Sequence, residues 1–351
     1  MNARELADRH SFAEDETPHD VAYDALTTDE QHAARFDRPR SAVPLRLAVV
    51  SDPHVAGDEH GTWKMLHRTR DRFRATLAEV EALGVDALLL SGDLTKDGEE
   101  ENLDWIEAAL DDVDIPVLAV PGNHDVKEFP VSAFAERFTD DGFPVHLRLD
   151  GLDVIGLNSA MSPAETEGDD PELDVVSEDQ LDWLEATLPG TTDPIVVSHH
   201  NLPGLVEHIG SDGWAPHPPV GNADALVDVL AAHDVPLHLS GHVHLLSLTR
   251  PRGVRGLISP SLASFPQSYL LLEIDLTGTT VRCRTTATRA DVEESYDEGR
   301  AHSARSTLIS DLNAEQLRAL PLVDERNGPS RGIDPIRPDS VEASRDDGHT
   351  D

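Results

Sequence analysis

Five short apolar runs in this chain each end in side chains that bind metals. "LAVVSDPH" reaches Asp52 and His54, and "ALLLSGD" reaches Asp93. "VLAVPGNHD" ends in Asn123, His124 and Asp125, "PIVVSHH" in His199 and His200, and "PLHLSGHVH" in His242 and His244. A turn needs Gly and sometimes Asn, but it has no use for imidazoles and carboxylates after them. Aliphatic, β-branched runs of this length read as buried strands. The chain must therefore fold around a sheet whose strands deliver polar tips to one crevice, because ligands in open α/β sheets bind outside the carboxyl ends of the strands.

Helical patterns separate these runs. "KMLHRTRDRFRATLAEVEALG" predicts a helix stopped by Gly84, and "EENLDWIEAALDDV" predicts another. "SEDQLDWLEATLPG" opens with a capping box, Ser177 with Gln180, and "NADALVDVLAAHD" is a helix capped by Asn222. Strand-helix-strand repetition argues for parallel pairing. The later runs near "VRGLISPS", "QSYLLLEIDL" and "TTVRCRTT" read as an antiparallel meander. The order fits an α/β fold: a four-layer α/β/β/α sandwich of two mixed sheets flanked by helices. Residues 1–42 form a polar N-terminal segment, in which "DVAYDALTTDEQHAARF" has helical potential, and 43–290 a catalytic domain. Residues 291–351 form an acidic C-terminal extension, largely disordered from about 327.

Charge narrows the setting. The 351 residues carry 67 acidic against 28 basic side chains, a formal charge of −39, and only Lys64, Lys96 and Lys127 are lysines. Such an excess repels itself unless salt screens it; at molar ionic strength the Debye length is about 3 Å. An acidic, lysine-poor surface of this kind resembles the proteins of salt-loving archaea. The single cysteine, Cys283, excludes an intrachain disulfide and a cysteine-based zinc cluster, and its alternating strand context predicts a packed thiol. No apolar run approaches a membrane span, and the N-terminus lacks the apolar core of a secretory signal. The expectation is a cytoplasmic protein with no membrane partner.

The candidate metal ligands are Asp52, His54, Asp93, Asn123, His199, His242 and His244. In an extended chain the i, i+2 pairs Asp52–His54 and His242–His244 would present both side chains on one side. Carboxylate, imidazole and one amide, without thiolate, suit Mn, Fe, Zn, Co or Ni better than Ca or Mg. The set is too large for one tetrahedral site and about right for two divalent ions sharing a carboxylate. Two such ions keep a net positive charge against Asp52 and Asp93, which suits a phosphate ester.

In that order, "DPH…GD…GNHD…HH…GHVH" resembles the calcineurin-like metallophosphoesterase superfamily over roughly residues 44 to 287. The resemblance implies that Asp52, His54 and His244 hold one metal, that Asn123, His199 and His242 hold the other, and that Asp93 bridges. It implies attack on phosphorus by a metal-bridging hydroxide, with no phosphoenzyme. His124 would stand beside the scissile phosphate, stabilising its charge or protonating the leaving oxygen. Asp125 would orient that imidazole. "SHHNLPG" with the Asn-initiated helix before "GHVH" is similar to the bacterial cyclic-nucleotide phosphodiesterase branch, which implies small phosphodiesters or nucleotides as substrates. "GLVEHIGSDGWAPHPPVG" departs from that branch.

Other residues carry plainer expectations. His200 should point away from the metals, and His238 should be a hydrogen-bonded strand histidine. His60, His67, His208 and His217 read as loop residues, Trp105 and Trp183 as packing, and Trp214 as a candidate pocket wall. Two other functions stay open: a nuclease or protein phosphatase of the same superfamily, and a non-catalytic metal-binding module. A nuclease needs a basic track, and the segments flanking the motifs are not basic, which argues against nucleic acid. Oligomeric state has no signal in the sequence.

Overall fold

The computed structural model describes residues 17–60, 62–162, 174–205 and 218–326. His208, Trp214 and His217, the first 16 residues and the tail from 327 lie outside the described residues.

In chain order the elements are α1 (Pro18–Thr27), β1 (Ala34–Phe36), β2 (Leu45–Val50), α2 (Thr69–Ala82), β3 (Ala87–Leu90), α3 (Glu100–Leu110) and β4 (Val117–Ala119). Then come α4 (Val131–Phe138), β5 (Val145–Leu149), β6 (Leu152–Gly156), α5 (Glu178–Thr187), β7 (Ile195–Val197), α6 (Ala223–Ala232) and β8 (Leu237–Ser240). The last are β9 (Ser247–Thr249), β10 (Gly256–Ile258), β11 (Tyr269–Asp275), β12 (Gly278–Arg284), α7 (Arg289–His302), α8 (Ala304–Arg318) and β13 (Val323–Asp324).

Two mixed sheets form, ordered β13-β1-β12-β11-β2-β3-β4 and β5-β6-β7-β8-β10-β9. In the first, β2, β3 and β4 are parallel neighbours; in the second, β6, β7, β8 and β10 are. Alternation along each strand sorts side chains between faces. Leu47, Val49, Leu89 and Leu118 of the first sheet meet Val154, Ile195, Val197, Leu237 and Leu239 of the second in the inner core. Ala48, Val50, Leu88 and Leu90 face outward onto Phe73, Leu77 and Val80 of α2 and Leu103 and Ile106 of α3. Ile155 and Val196 likewise pack on Leu181 and Leu184 of α5 and Leu226 and Leu230 of α6. The four layers are helix, sheet, sheet, helix.

The expected meander is split. β11 and β12 are an antiparallel hairpin in the first sheet, whereas β10 joins the second, parallel to β8. Periodicity reports a strand but not its sheet. Two caps also differ from expectation. Ser177 caps α5 by accepting from Gln180 N–H at 3.3 Å, but the Gln180 side chain reaches Asn158 N and O instead of closing a capping box. Asn222 holds Val176 through both its amide atoms and leaves α6 without a side-chain cap.

Residues on both sides of the compositional boundaries at 42 and 290 share one packing. β1 pairs with β12 and β13, and Ala22, Val292, Tyr296, Ala314 and Leu317 of α1, α7 and α8 lie in the inner core cluster. Cys283 is a packed thiol 3.3 Å from Ser268 Oγ, pushed up to about 12 by burial.

Candidate metal centre

The tips of β2, β3 and β4 meet those of β7 and β8 across the gap between the sheets. The connection after β2 stays hydrogen-bonded to the one after β3: Asp52 N–H donates to Gly92 O and His54 N–H to Asp93 O, each at 3.0 Å, and Val55 N–H to Leu94 O at 2.8 Å. Gly241 N–H donates to His199 O at 3.0 Å, which ties the β8 tip to the β7 tip. Two glycines are required by close approach. A Cβ on Gly122 would strike Asp93, and one on Gly241 would strike Ser51 and Asp52.

The paired ligands do not share a face through an extended chain, as the spacing suggested. Asp52 and His54 have φ of 50° and 41°, Asp93 52°, and His242 and His244 69° and 59°. These residues are left-handed, a conformation costing about 1–2 kcal/mol per non-glycine residue. The pairs converge because the backbone turns at each ligand, held there by the inter-loop hydrogen bonds.

Asp52, His54, Asp93 and His199 are all essentially excluded from solvent. His54 Nε2 lies 3.1 Å from His244 Nε2 and 3.5 Å from Asp93 Oδ2, and His244 Nε2 lies 3.3 Å from Asp52 Oδ1. On the other side His199 Nε2 is 3.4 Å from Asp93 Oδ1, and His242 Nδ1 is 3.1 Å from Asn123 Oδ1. The two oxygens of Asp93 thus face two different histidine groups.

The outer nitrogens set the tautomers. His54 Nδ1 faces the Thr95 carbonyl at 3.3 Å and His199 Nδ1 the Ser91 carbonyl at 2.9 Å, so each Nδ1 carries the proton. His244 Nδ1 is 2.8 Å from Ser264 Oγ. The Nε2 lone pairs of His54 and His199 therefore point inward, where two buried carboxylates and further imidazole nitrogens crowd one another. Such a donor set fits divalent cations: it offers lone pairs, negative charge and outer hydrogen bonds that fix ring orientation. Burial opposes charge on Asp93, but His199 and then His54 hold its carboxyl well below the usual range. Burial also opposes charge on His199; Asp93 outweighs it and raises the imidazole to about 9, and the same negative charge favours a cation on Nε2 once the ring has given up that proton. His54 is held well below the ordinary imidazole value by burial and then by Lys64.

Asp125 does not orient His124. Its buried carboxylate accepts from Leu94 N–H (3.0 Å), Thr95 N–H (2.7 Å), Thr95 Oγ1 (2.9 Å) and Gly122 N–H (2.9 Å), clamping the Asp93 loop to the Asn123 loop. The His124 ring is held instead through Nδ1, which donates to the Lys96 carbonyl and lies 3.2 Å from Asp97 Oδ1. Asp97, in "GDLTKDG", was missed; nothing in its local pattern marks it.

His200 also departs from expectation. Its ring stands 4.4 Å from that of His242, and its nitrogens meet Ser159 Oγ at 2.9 Å and Asp174 Oδ2 at 3.2 Å. It is a buried neighbour of the second ligand group. Trp63, also missed, packs against His244 with ring centroids 4.8 Å apart. His238 is a strand histidine bonded to Ser198 Oγ at 2.9 Å, as expected. His60 and His67 stack on each other at 4.2 Å, outside the ligand groups. Trp105 and Trp183 pack against the two outer helical layers. The flanks, read as non-basic, bring two ammonium groups to His124: Lys64 Nζ lies 3.5 Å from Nε2, and Lys127 Nζ lies 2.8 Å from Nδ1 and 3.4 Å from Nε2.

Comparison with known proteins agrees with this geometry. A probable cyclic nucleotide phosphodiesterase of Synechococcus sp. is 29% identical over 206 residues, 58% of this chain and 74% of that protein. A 3',5'-cyclic-nucleotide phosphodiesterase of Nostoc sp. is 25% identical over 228 residues, covering 62% and 79%. A dimetal phosphatase from Danio rerio has the same fold, with a TM-score of 0.55 at 16% identity over 69% of this chain and 99% of that one. The calcineurin-like phosphoesterase model matches residues 45–246, the span from β2 through the last histidine motif, and the chain belongs to that family of metal-dependent phosphoesterases.

Proposed function

We propose that the chain hydrolyses small phosphodiesters or nucleotides at a pair of divalent ions. Asp52, His54 and His244 would hold one ion and Asn123, His199 and His242 the other, with Asp93 between them. The observation that carries this reading is Asp93, whose Oδ2 faces His54 and whose Oδ1 faces His199. When bound, the ions supply positive charge to the phosphate and acidify a water. The donor set of carboxylate, imidazole and amide accepts Mn, Fe, Zn, Co or Ni.

The chain's own residues do the rest. His124 keeps its Nδ1 proton on the Lys96 carbonyl and turns Nε2 toward the metal groups. Burial holds this imidazole below its ordinary value, Asp93 opposes that, and Lys64 and Lys127 add to it. The negative charge of a bound phosphate ester favours the protonated ring, which then donates from Nε2 to the departing oxygen. Asp97 is a positioning residue for that ring. The diester class is supported by the names of the Synechococcus and Nostoc relatives. A cytoplasmic setting belongs to the same reading; no helix among the described residues is long and apolar enough to cross a membrane.

The test is hydrolysis of bis-p-nitrophenyl phosphate against p-nitrophenyl phosphate, in molar KCl with Mn²⁺, beside His124→Ala. Diester turnover should fall about 10²–10⁴-fold in the variant, while bound manganese stays the same. Preference for the monoester would move the assignment to a phosphatase. Two bound metals with no turnover of either ester would overturn it in favour of a binding module.

A further inference from the structure

The chain has 28 basic residues and only three are lysines, yet the ammonium groups of two of them, Lys64 and Lys127, stand at His124, while Lys96 meets that ring through its backbone carbonyl alone. Two of the ammonium groups are matched by carboxylates. Lys96 Nζ is 2.6 Å from Glu59 Oε2, and Lys127 Nζ is 2.6 Å from Asp97 Oδ1. Lys64 forms no ion pair among the described residues. Its ammonium lies 3.3 Å from His54 Nδ1 and 3.5 Å from His124 Nε2. The first contact supplies no acceptor, because His54 Nδ1 already carries the proton that faces the Thr95 carbonyl. An ammonium has three N–H donors. Lys64 therefore has one shared acceptor at 3.5 Å and at least two donors left over, beside the nitrogen proposed to face the departing oxygen.

We propose that Lys64 and Lys127 bind a second phosphate on the leaving side of the scissile bond, so that the site prefers phosphoanhydrides such as nucleoside diphosphates. This rests on the metal-dependent phosphoesterase reading above and names its substrate class. Around this chain, arginine serves the surface ion pairs; a compact point charge on a flexible stem suits a phosphate that must bind and then leave. In the reaction, water adds its oxygen to the terminal phosphorus and the bond from phosphorus to the bridging oxygen breaks. That oxygen keeps the bonding pair and departs as the anion of the shorter phosphate, and the proton lost by water passes to solvent. Two ammonium groups stabilise the departing anion, whereas a neutral alkoxide precursor gives them nothing to hold until charge develops.

The experiment compares kcat/KM for ADP with that for p-nitrophenyl phosphate, using the full chain with Mn²⁺ in molar KCl, and keeps bis-p-nitrophenyl phosphate as a reference. The ADP to p-nitrophenyl phosphate ratio should exceed ten in the wild type. It should fall at least tenfold in Lys64→Ala, mainly through KM, and by less in Lys127→Ala, whose partner is Asp97. Lys64→Arg should restore most of it. Calorimetry with methylenebisphosphonate on the manganese-loaded protein should show at least tenfold weaker binding in Lys64→Ala, a readout independent of turnover. Should Lys64→Ala fail to fold, Lys64→Gln and Lys64→Arg carry the same comparison. An unchanged ratio and unchanged binding overturn the inference while diester turnover leaves the phosphoesterase reading intact. Absence of all turnover in the wild type would sink both.

Discussion

At the scale of single residues, Asp97 and Asp125 separate two kinds of support. Asp125 holds two ligand loops through four hydrogen bonds, so Asp125→Ala should weaken manganese binding by about 10–100-fold, measured by calorimetry. Asp97 touches the His124 ring and no proposed ligand, so Asp97→Ala should keep metal stoichiometry and lower kcat by about tenfold. A contrary outcome, metal lost with Asp97 and kept with Asp125, would reverse their roles. His238 gives a pH effect. Burial lowers its imidazole to about 3. Because the folded value lies below the unfolded 6.5, folding favours the neutral ring. Its contribution is complete above pH 6.5 and is lost as pH falls toward 3, at up to about 1.4 kcal/mol per pH unit. Replacing it with Asn should flatten that limb of the stability curve. The motif residues themselves were legible, since Asp and His after an aliphatic run have no purpose in a turn. Asp97, Trp63 and the place of His200 were not, because each owes its role to a neighbour distant in sequence.

At the scale of elements, the least expected finding is that α8 reaches the metal centre. Asn313 is buried and bonds Leu246 N–H at 3.0 Å and His244 O at 2.8 Å, holding the loop that carries the last histidine motif. Asn313→Leu leaves that N–H and C=O unsatisfied and should cost about 1–3 kcal/mol, read by denaturant melts, with weaker metal binding. A chain ended at residue 290 removes α7, α8 and β13 and should be recovered unfolded or aggregated, since it uncovers Phe265 and Leu246. A soluble, active truncation would show that 43–290 is an independent unit. The charged composition of α7 and α8 hid this, for each buries one stripe that includes polar residues: Val292, Ser295, Tyr296 and Gly299 in one, Ser306, Ile309, Ser310, Asn313, Ala314 and Leu317 in the other. The strands were easier to read, because both of their faces are buried.

At the scale of the whole molecule, charge and fold pull against each other. A formal charge of −39 opposes compaction, and screening should relieve it. Raising KCl from 0.1 to 2 M should lift Tm by about 5 °C or more; a flat or falling Tm would show that the acidic surface carries no such penalty. Local ion pairs are not enough to offset the excess, although Glu325, bound by Arg255 and Arg250, is held at about 2 against the cost of burial. By itself the amino-acid sequence determined the strands that end in ligands, the fold class and the ligand types, because short apolar runs and polar tips are local properties that survive in any register; the short strands β1, β5, β9 and β13 were not read from it. Only the tertiary structure decided which sheet each strand joined, that five ligands sit in left-handed backbone, that Asp93 faces two histidine groups, and that the ammonium groups of Lys64 and Lys127 meet at one imidazole. Those are distances between residues far apart along the chain, and such distances exist only after the two sheets have packed.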